Sequence, residues 1–374
     1  MMKIKMLKNE LVDKLALVSK AADTTNTVSN YSRCVLFEVK KETSELLLTC
    51  CNYAMEVKAK ISANIELEVG DKMEFLLEVD NFSKFVNKLP SNEVELNIKD
   101  GNCNIKSGRV RFSLGLFGDA TTFPHCDAPN NATKVVLNGA IFADKCKKTL
   151  FAAANPKNNQ MMGGMHLTIA DKKVSMTCLD GHRVAINSFM LETAAPSKDC
   201  VIPVSSLKTI LGNIGKAKEL CILMDEKNVA FSFDDCVVYT RLIEGNFFPI
   251  NKMIETKRPI IVSVNRLDLL ESVSRAELVT QMNTTSKRPV IIEFAENVIS
   301  ISADNGPGNL KEDLDATCSN LGELKKIAFN PIFLREMLSA ISTETINMEL
   351  IGAKAPMYVT SEDFVYLTLP VNIK

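Results

Sequence analysis

The run Asp180-Gly181-His182-Arg183 places a carboxylate two residues from an imidazole and three from a guanidinium. A carboxylate beside a histidine is the smallest set of groups that performs general acid–base chemistry. Such chemistry also needs a nucleophile or a bound group, and the chain offers little of either. It has three histidines, His125, His166 and His182, no Gly-x-Ser-x-Gly elbow and no glycine-rich phosphate loop. Its eleven cysteines include no CxxC pair, which argues against zinc ribbons and thioredoxin-type exchange. Cys50, Cys178 and Cys236 lie inside apolar strand patterns and read as buried, reduced thiols of a cytosolic protein. An enzyme would have to pair His182 with a nearby cysteine such as Cys178. The expectation is instead no catalytic residue, no cofactor and no metal.

Side chains act only where elements hold them, and the elements of this chain recur. Three segments carry apolar residues at helical spacing: 6–20 with Leu11, Leu15 and Val18; 137–155 with Phe142, Cys146, Thr149 and Ala153; 264–282 with Leu269, Leu270, Val273 and Ala276. Their starts lie 131 and 127 residues apart. A strand pair follows each, ending in a turn at Asn52-Tyr53, Asp180-Gly181 or Asp304-Asn305-Gly306. A second helix then spans 79–89, 204–214 or 329–341, opening at Asp80, Ser205 or Asn330, residues suited to N-caps. A hairpin closes each copy: 94–98 turns at Asp100-Gly101 and returns through 110–116, 220–224 returns through 229–233, and 346–351 returns as 357–360. Phe123-Pro124 and Phe248-Pro249 end the first two copies. The chain reads as three α+β domains over 1–128, 129–256 and 257–374, each of two helix-plus-antiparallel-sheet modules.

Composition narrows the function. Lys and Arg number 44 against 45 Asp and Glu, a net charge of −1. That balance argues against a uniformly basic nucleic-acid binder. No apolar run approaches the ~20 residues that span a bilayer, and the N-terminus lacks an apolar signal core. The expectation is a cytoplasmic protein with no membrane partner.

The repeat, with Leu179-Asp180-Gly181-His182-Arg183-Val184-Ala185, Glu244-Gly245-Asn246-Phe247-Phe248-Pro249, Phe329-Asn330-Pro331 and the C-terminal Leu369-Pro370-Val371, resembles the bacterial-type DNA polymerase III beta subunit family, the beta sliding clamps. The resemblance covers essentially the whole chain. It implies the DNA-clamp fold: a head-to-tail homodimer forming a ring, with helices lining the hole and double-stranded DNA threaded without sequence preference. It implies a non-catalytic, nucleoid-associated processivity factor. Its partners would be a DNA polymerase III alpha or PolC-type subunit, the clamp loader and other proteins bearing a clamp-binding motif. A clamp-fold protein that does not encircle DNA is the competing account.

The resemblance also assigns residues. A partner-peptide pocket would comprise Met162, Leu179, Gly181, His182, Arg183, Val184, Pro249, Met253, Ile254, Pro356, Leu367, Leu369, Pro370 and Val371. Apolar and Met side chains suit Leu or Phe anchors of a short peptide. The tail departs from the family's Met-Pro-Met-Arg-Leu-like ending, Met253 stands where a basic residue is common, and Gln160 and Met161 replace DNA-touching aromatics. Ring closure would pair an edge strand holding Phe112 and Leu114 with a third-domain strand of the partner copy, matched at Leu278 and Val279. Residues facing DNA would be Lys14, Lys20, Lys84, Lys88, Lys147, Lys148, Lys157, Lys216 and Arg275. Six helix windows containing them sum to +8, leaving −9 elsewhere. Cationic windows in a near-neutral chain are what phosphate attraction requires, although lysines on any solvated helix face are the plainer account.

Overall fold

The computed structural model describes residues 2–23, 29–67, 73–282 and 288–372. Among them are seven α-helices: α1 Lys8–Val18, α2 Val79–Asn87, α3 Gly139–Leu150, α4 Val204–Ile214, α5 Asn251–Ile254, α6 Arg266–Gln281 and α7 Pro331–Ala340. The six longer ones are the six expected from periodicity. Leu11, Leu15 and Val18 of α1, Phe142 and Cys146 of α3, and Leu269, Val273 and Ala276 of α6 are all buried.

The ends differ from expectation for identifiable reasons. Met6 belongs to a strand, Met2–Leu7, whose alternation buries Met2, Ile4 and Met6 and turns Lys3 and Lys5 outward. Ala153 lies beyond α3. Asp80 does not cap α2; Glu78 holds that position without a side-chain bond, and Asp80 sits in the first turn, where an anion favours the helix dipole. Ser205 lies inside α4. Asn330 does cap α7, its side chain accepting from Ile332 N, and Asn265 caps α6 from Leu267 N and Asp268 N.

All strand pairings are antiparallel, and the described residues form two compact units. One comprises the residues up to Phe142 together with Ser205–Leu242. Its five-stranded sheet runs Asn64–Glu66, Met2–Leu7, Glu93–Lys99, Asn102–Ser107, Val110–Gly115. The return strand after Asp100-Gly101 is therefore Asn102–Ser107, not 110–116. Its outward Asn102, Asn104 and Lys106 masked the inward Cys103, Ile105 and Ser107. The eight-stranded sheet runs Thr133–Leu137, Leu220–Met224, Asn228–Phe233, Cys236–Arg241, Met55–Ser62, Glu45–Cys51, Cys34–Lys40, Glu74–Glu78. Strands of the second repeat thus continue a sheet of the first, in a register from Cys236↔Ala59 to Thr240↔Met55. Phe37 anchors the core there, stacked on Phe75 at 4.7 Å and edge-on to Phe82 of α2 at 5.4 Å.

The other unit comprises Ala143–Val204 and the described residues from Ile243 onward. Its twelve-stranded sheet runs Lys198–Pro203, Gly164–Ala170, Lys173–Leu179, Arg183–Met190, Phe364–Thr368, Met357–Thr360, Thr345–Leu350, Ile260–Asn265, Asn309–Ser319, Val298–Asp304, Val290–Phe294, Lys326–Phe329. Here second-repeat and third-repeat strands join from Arg183↔Thr368 to Asn187↔Phe364.

The recurring turn is the same structure three times. Asn52 N donates to Met55 O at 3.1 Å, Asp180 N to Arg183 O at 3.3 Å, and Asn305 N to Gly308 O at 3.0 Å. The residue after each first donor has positive φ: Tyr53 at 68°, Gly181 at 87° and Gly306 at 79°. Glycine adopts this backbone freely; Tyr53 holds it under strain.

Candidate functional site

The Asp180-Gly181-His182-Arg183 turn is a structural device before it is anything else. Asp180 Oδ1 accepts from His182 N at 3.0 Å and Arg183 N at 3.1 Å, and Oδ2 accepts from Arg183 Nε at 2.9 Å. Nothing lies within 4 Å of a Cβ built on Gly181, so the glycine answers to φ and not to crowding. Both Asp180 carboxylate oxygens are committed to the turn and Cys178 is fully buried, so neither is free to serve His182 as base or nucleophile.

Arg183 is 6% exposed. Its Nη1 bonds Glu336 Oε2 at 2.5 Å, its Nη2 bonds Phe151 O at 2.6 Å, and its guanidinium lies 4.2 Å from the Phe333 ring centroid. Burial pushes the guanidinium pKa down, but the Glu336 bond and the neighbouring charges outweigh it and raise the value. The structure therefore puts Arg183 beneath the expected pocket and not on its surface. Each of its three nitrogens donates to a partner: Asp180, Glu336 and Phe151 O.

Above this brace lies an apolar cluster. Leu179, Val184, Tyr358 and Leu367 are buried together, with Met162, Ile186, Phe247, Phe248 and Ile250 packed against them. Four of the expected residues, Met162, Leu179, Val184 and Leu367, meet here. Leu369 follows at the edge with its N–H bonded to His182 O at 2.8 Å, and Val371 N bonds Ala328 O at 2.8 Å. Both side chains are exposed. Met253 is exposed on α5, its carbonyl accepting from Tyr358 Oη at 2.9 Å. Ile254, Pro356 and Pro370 are half-buried, while Gly181, His182 and Pro249 are exposed. Sequence reasoning missed Tyr358, Ile186, Phe247, Phe248 and Ile250. Phe248 stood in plain view in the Phe248-Pro249 ending shared with the first repeat, and Phe247 lies beside it.

The nine residues expected to face DNA separate into two groups. Lys84, Lys88, Lys147, Lys157 and Lys216 are exposed, and their side chains have no ion pair or hydrogen bond to another described residue. The other four are engaged. Lys14 lies 3.7 Å from Asp235, Lys20 donates to Thr209 O and Asn213 Oδ1, and Lys148 pairs with Asp144 at 2.9 Å. Arg275 holds Glu312 through Nη2 at 2.6 Å and Nε at 3.1 Å, with Glu271 at 3.5 Å. The +8 tally also shifts. Within the six longer helices ten basic residues face eight acidic ones, a net of +2. The rest of the excess lies outside those helices, at Lys20, Lys88, Lys157, Lys216, Lys218, Lys287 and Arg288 against Glu219. Lys287, also in that tally, lies outside the described residues.

Two of the open sheet edges bear on the expected ring closure. Val110–Gly115 ends the five-stranded sheet, with Phe112 on it 37% exposed and stacked on Phe85 at 3.7 Å; Leu114 is half-buried. Leu278 and Val279 lie on α6, not on a strand. Leu278 is 64% exposed and Val279 is buried. A strand packed against α6 with a partly free side is Asn309–Ser319. It pairs with Val298–Asp304 over 309–315 and with Ile260–Asn265 only over 316–319. Its first half thus has no second strand partner among the described residues. Sequence reasoning passed over it because alternating charge (Lys311, Glu312, Asp313, Asp315) hides its strand character.

No helix among the described residues is long and apolar enough to cross a membrane. Models of the DNA polymerase III beta subunit match the chain in succession: the N-terminal domain over 2–127, the central domain over 136–249 and the C-terminal domain over 251–372. Among curated relatives, the beta sliding clamp of Streptococcus pneumoniae strain R6 is 26% identical, with 98% of each chain covered. That of Bacillus subtilis strain 168 is 24% identical, covering 99% of this chain and 100% of the relative. A solved structure described as a putative DNA polymerase III beta subunit from Eubacterium rectale superposes with a TM-score of 0.92 at 26% identity, covering both chains completely.

Proposed function

The chain belongs to the DNA polymerase III beta subunit family, and from that premise we propose that two copies close head to tail around duplex DNA and act as a sliding clamp. The observation that carries this reading is the pair of open edges in one chain. The Val110–Gly115 strand and the 309–315 segment each have a strand on one side and no second strand partner among the described residues, and open edges of this kind call for covering. Pairing one with the other in a second copy is heterologous, and with two copies it closes both pairs. Charge agrees in sign: Arg109 and Arg111 lie at one edge, while Asp313 and Asp315 lie at the other beside Lys311, Glu312 being held by Arg275. Phe112 and Leu114 would then meet Leu278 and Val279, α6 supplying the apolar cover behind the paired strands.

On this reading each chain contributes three domains, 1–128, 129–256 and 257–374, and works in the cytoplasm on the nucleoid. Lys84, Lys88, Lys147, Lys157 and Lys216 hold DNA by screened phosphate attraction. That attraction carries no base information and permits sliding. The few free cations favour a lining that retains DNA by topology and guides it by charge. The +2 net charge of the helices favours the competing account, a clamp fold that binds partners without encircling DNA. Retention on nicked circular DNA and loss on linearisation is expected of a ring; equal retention on both forms, or none on either, overturns it.

The apolar cluster framed by Leu179, Val184, Tyr358 and Leu367 would receive a Leu/Phe-containing peptide from the polymerase alpha or PolC-type subunit, the loader and other partners. Arg183 would position this site from below and not touch the peptide. Removal of 369–374 is expected to abolish binding of such a peptide in a fluorescence titration; unchanged affinity refutes the assignment. The protein would perform no chemistry of its own.

A further inference from the structure

The segment that leads out of the first repeat is fastened at a place where two thiols meet. Cys51 ends the Glu45–Cys51 strand and is fully buried among Cys34, Leu36, Leu76 and Phe123. Cys126 lies 75 residues later, half-buried, with its Sγ 3.8 Å from Cys51 Sγ and 3.8 Å from Tyr53 O. The backbone around Cys126 is held on the Glu56 carboxylate. Glu56 Oε2 accepts from Cys126 N at 2.9 Å and lies 3.0 Å from His125 Nδ1, while Glu56 Oε1 lies 2.8 Å from Lys58 Nζ. The approach of the two sulfurs is thus built by a buried ion pair, a strand end and the strained Tyr53 turn.

We propose that Cys51 and Cys126 form a dithiol that a peroxide converts to an intrachain disulfide, locking the 123–126 segment onto the Glu45–Cys51 strand. Closing from 3.8 Å to a bond of about 2.05 Å needs a combined sulfur movement of about 1.8 Å. Side-chain rotation at the half-exposed Cys126 supplies it. The bond between the two thiols holds the Cys51 thiol below its ordinary range and raises that of Cys126. The half-exposed Cys126 sulfur, on losing its proton to solvent, attacks one peroxide oxygen and the O–O bond breaks. A sulfenic acid forms, and the departing oxygen leaves protonated as water or an alcohol. The remaining thiol then attacks the sulfenic sulfur, the S–S bond forms and water leaves. Two electrons pass from the two sulfurs to the peroxide, and a dithiol reductant reverses the change.

The full-length protein is treated with hydrogen peroxide, its remaining thiols are blocked, and it is digested without reduction. The expected product is a peptide pair linking Cys51 to Cys126, about 2 Da lighter than the two thiol peptides and at least tenfold more abundant than any other cysteine pair. It is absent from Cys126→Ser and returns to free thiols with dithiothreitol. The thermal midpoint of the oxidised wild type is expected to rise above that of the reduced protein, with no such difference in Cys126→Ser. Cys51→Ser, whose serine is buried, is compared for cross-linking only. Cross-links spread evenly over other cysteines, or oxidation of Cys126 to the sulfinic acid without a link to Cys51, overturns the proposal.

Discussion

Replacing Arg183 by alanine tests whether the DGHR turn is a brace. The substitution removes three hydrogen bonds, to Asp180, Glu336 and Phe151 O, and the packing over Phe333. It leaves two carboxylates without their cation. Stranding one member of a buried pair costs about 3–5 kcal/mol. The Asp180 and Glu336 side chains are 14% and 30% exposed, so both regain water in part, and the lower end, about 3 kcal/mol, is the expected loss. For a unit of this size that corresponds to a fall of roughly 6–12 °C in melting temperature. Urea unfolding, followed by hydrogen exchange of the Arg183–Met190 strand, reads the effect where it arises. Asp180→Ala in the same background should add less than it costs alone, because its partner is already gone. A loss under about 1 kcal/mol with an unchanged urea slope, or full additivity of the two substitutions, refutes the brace.

Three further outcomes follow from the geometry. Lys84→Ala and Lys147→Ala should each lower the salt slope of DNA binding by up to ~0.9, whereas Arg275→Ala should leave it unchanged because Glu312 already holds that guanidinium; equal effects at all three refute the division into free and engaged cations. Leu278→Ala removes an exposed side chain and should leave the fold intact while sedimentation shifts toward monomer; an unchanged dimer rejects this interface. Burial opposes the Asp225 charge, but N–H groups of Asn130, Asn228 and Lys227 hold its carboxyl below the usual range. A depressed folded pKa gives stability that is complete above the unfolded value near ~3.9 and is lost as pH falls through the folded value. Asp225→Asn should therefore cost under about 1 kcal/mol at pH 7, since the group is only half-buried and partly screened by solvent, and the gap should narrow below about pH 4; urea midpoints at pH 7 and pH 3 that differ equally contradict this.

The sequence by itself determined the helices, the repeat and the turns. Periodicity survives in a linear string, since a buried stripe must recur every three or four residues whatever it packs against, as Leu11, Leu15 and Val18 do. The Asn52, Asp180 and Asn305 turns were legible for a similar reason: a polar side chain followed by a residue of positive φ is local chemistry. The Met2–Leu7 strand was legible too, in the alternation of Met2, Ile4 and Met6 against Lys3 and Lys5, but it was absorbed into the helix that follows. Tertiary structure alone decided what the charged residues do. Arg183 and Arg275 look in sequence like cations available to a ligand, yet Glu336 lies 153 positions from one and Glu312 lies 37 from the other. Tyr358 joins Leu179 only because a third-repeat strand extends the second-repeat sheet. The 309–315 edge is open because Ile260–Asn265 stops pairing at Ala316. Apolar burial is written in spacing, but an ion pair or a strand edge is settled by partners far along the chain, and no local pattern records them.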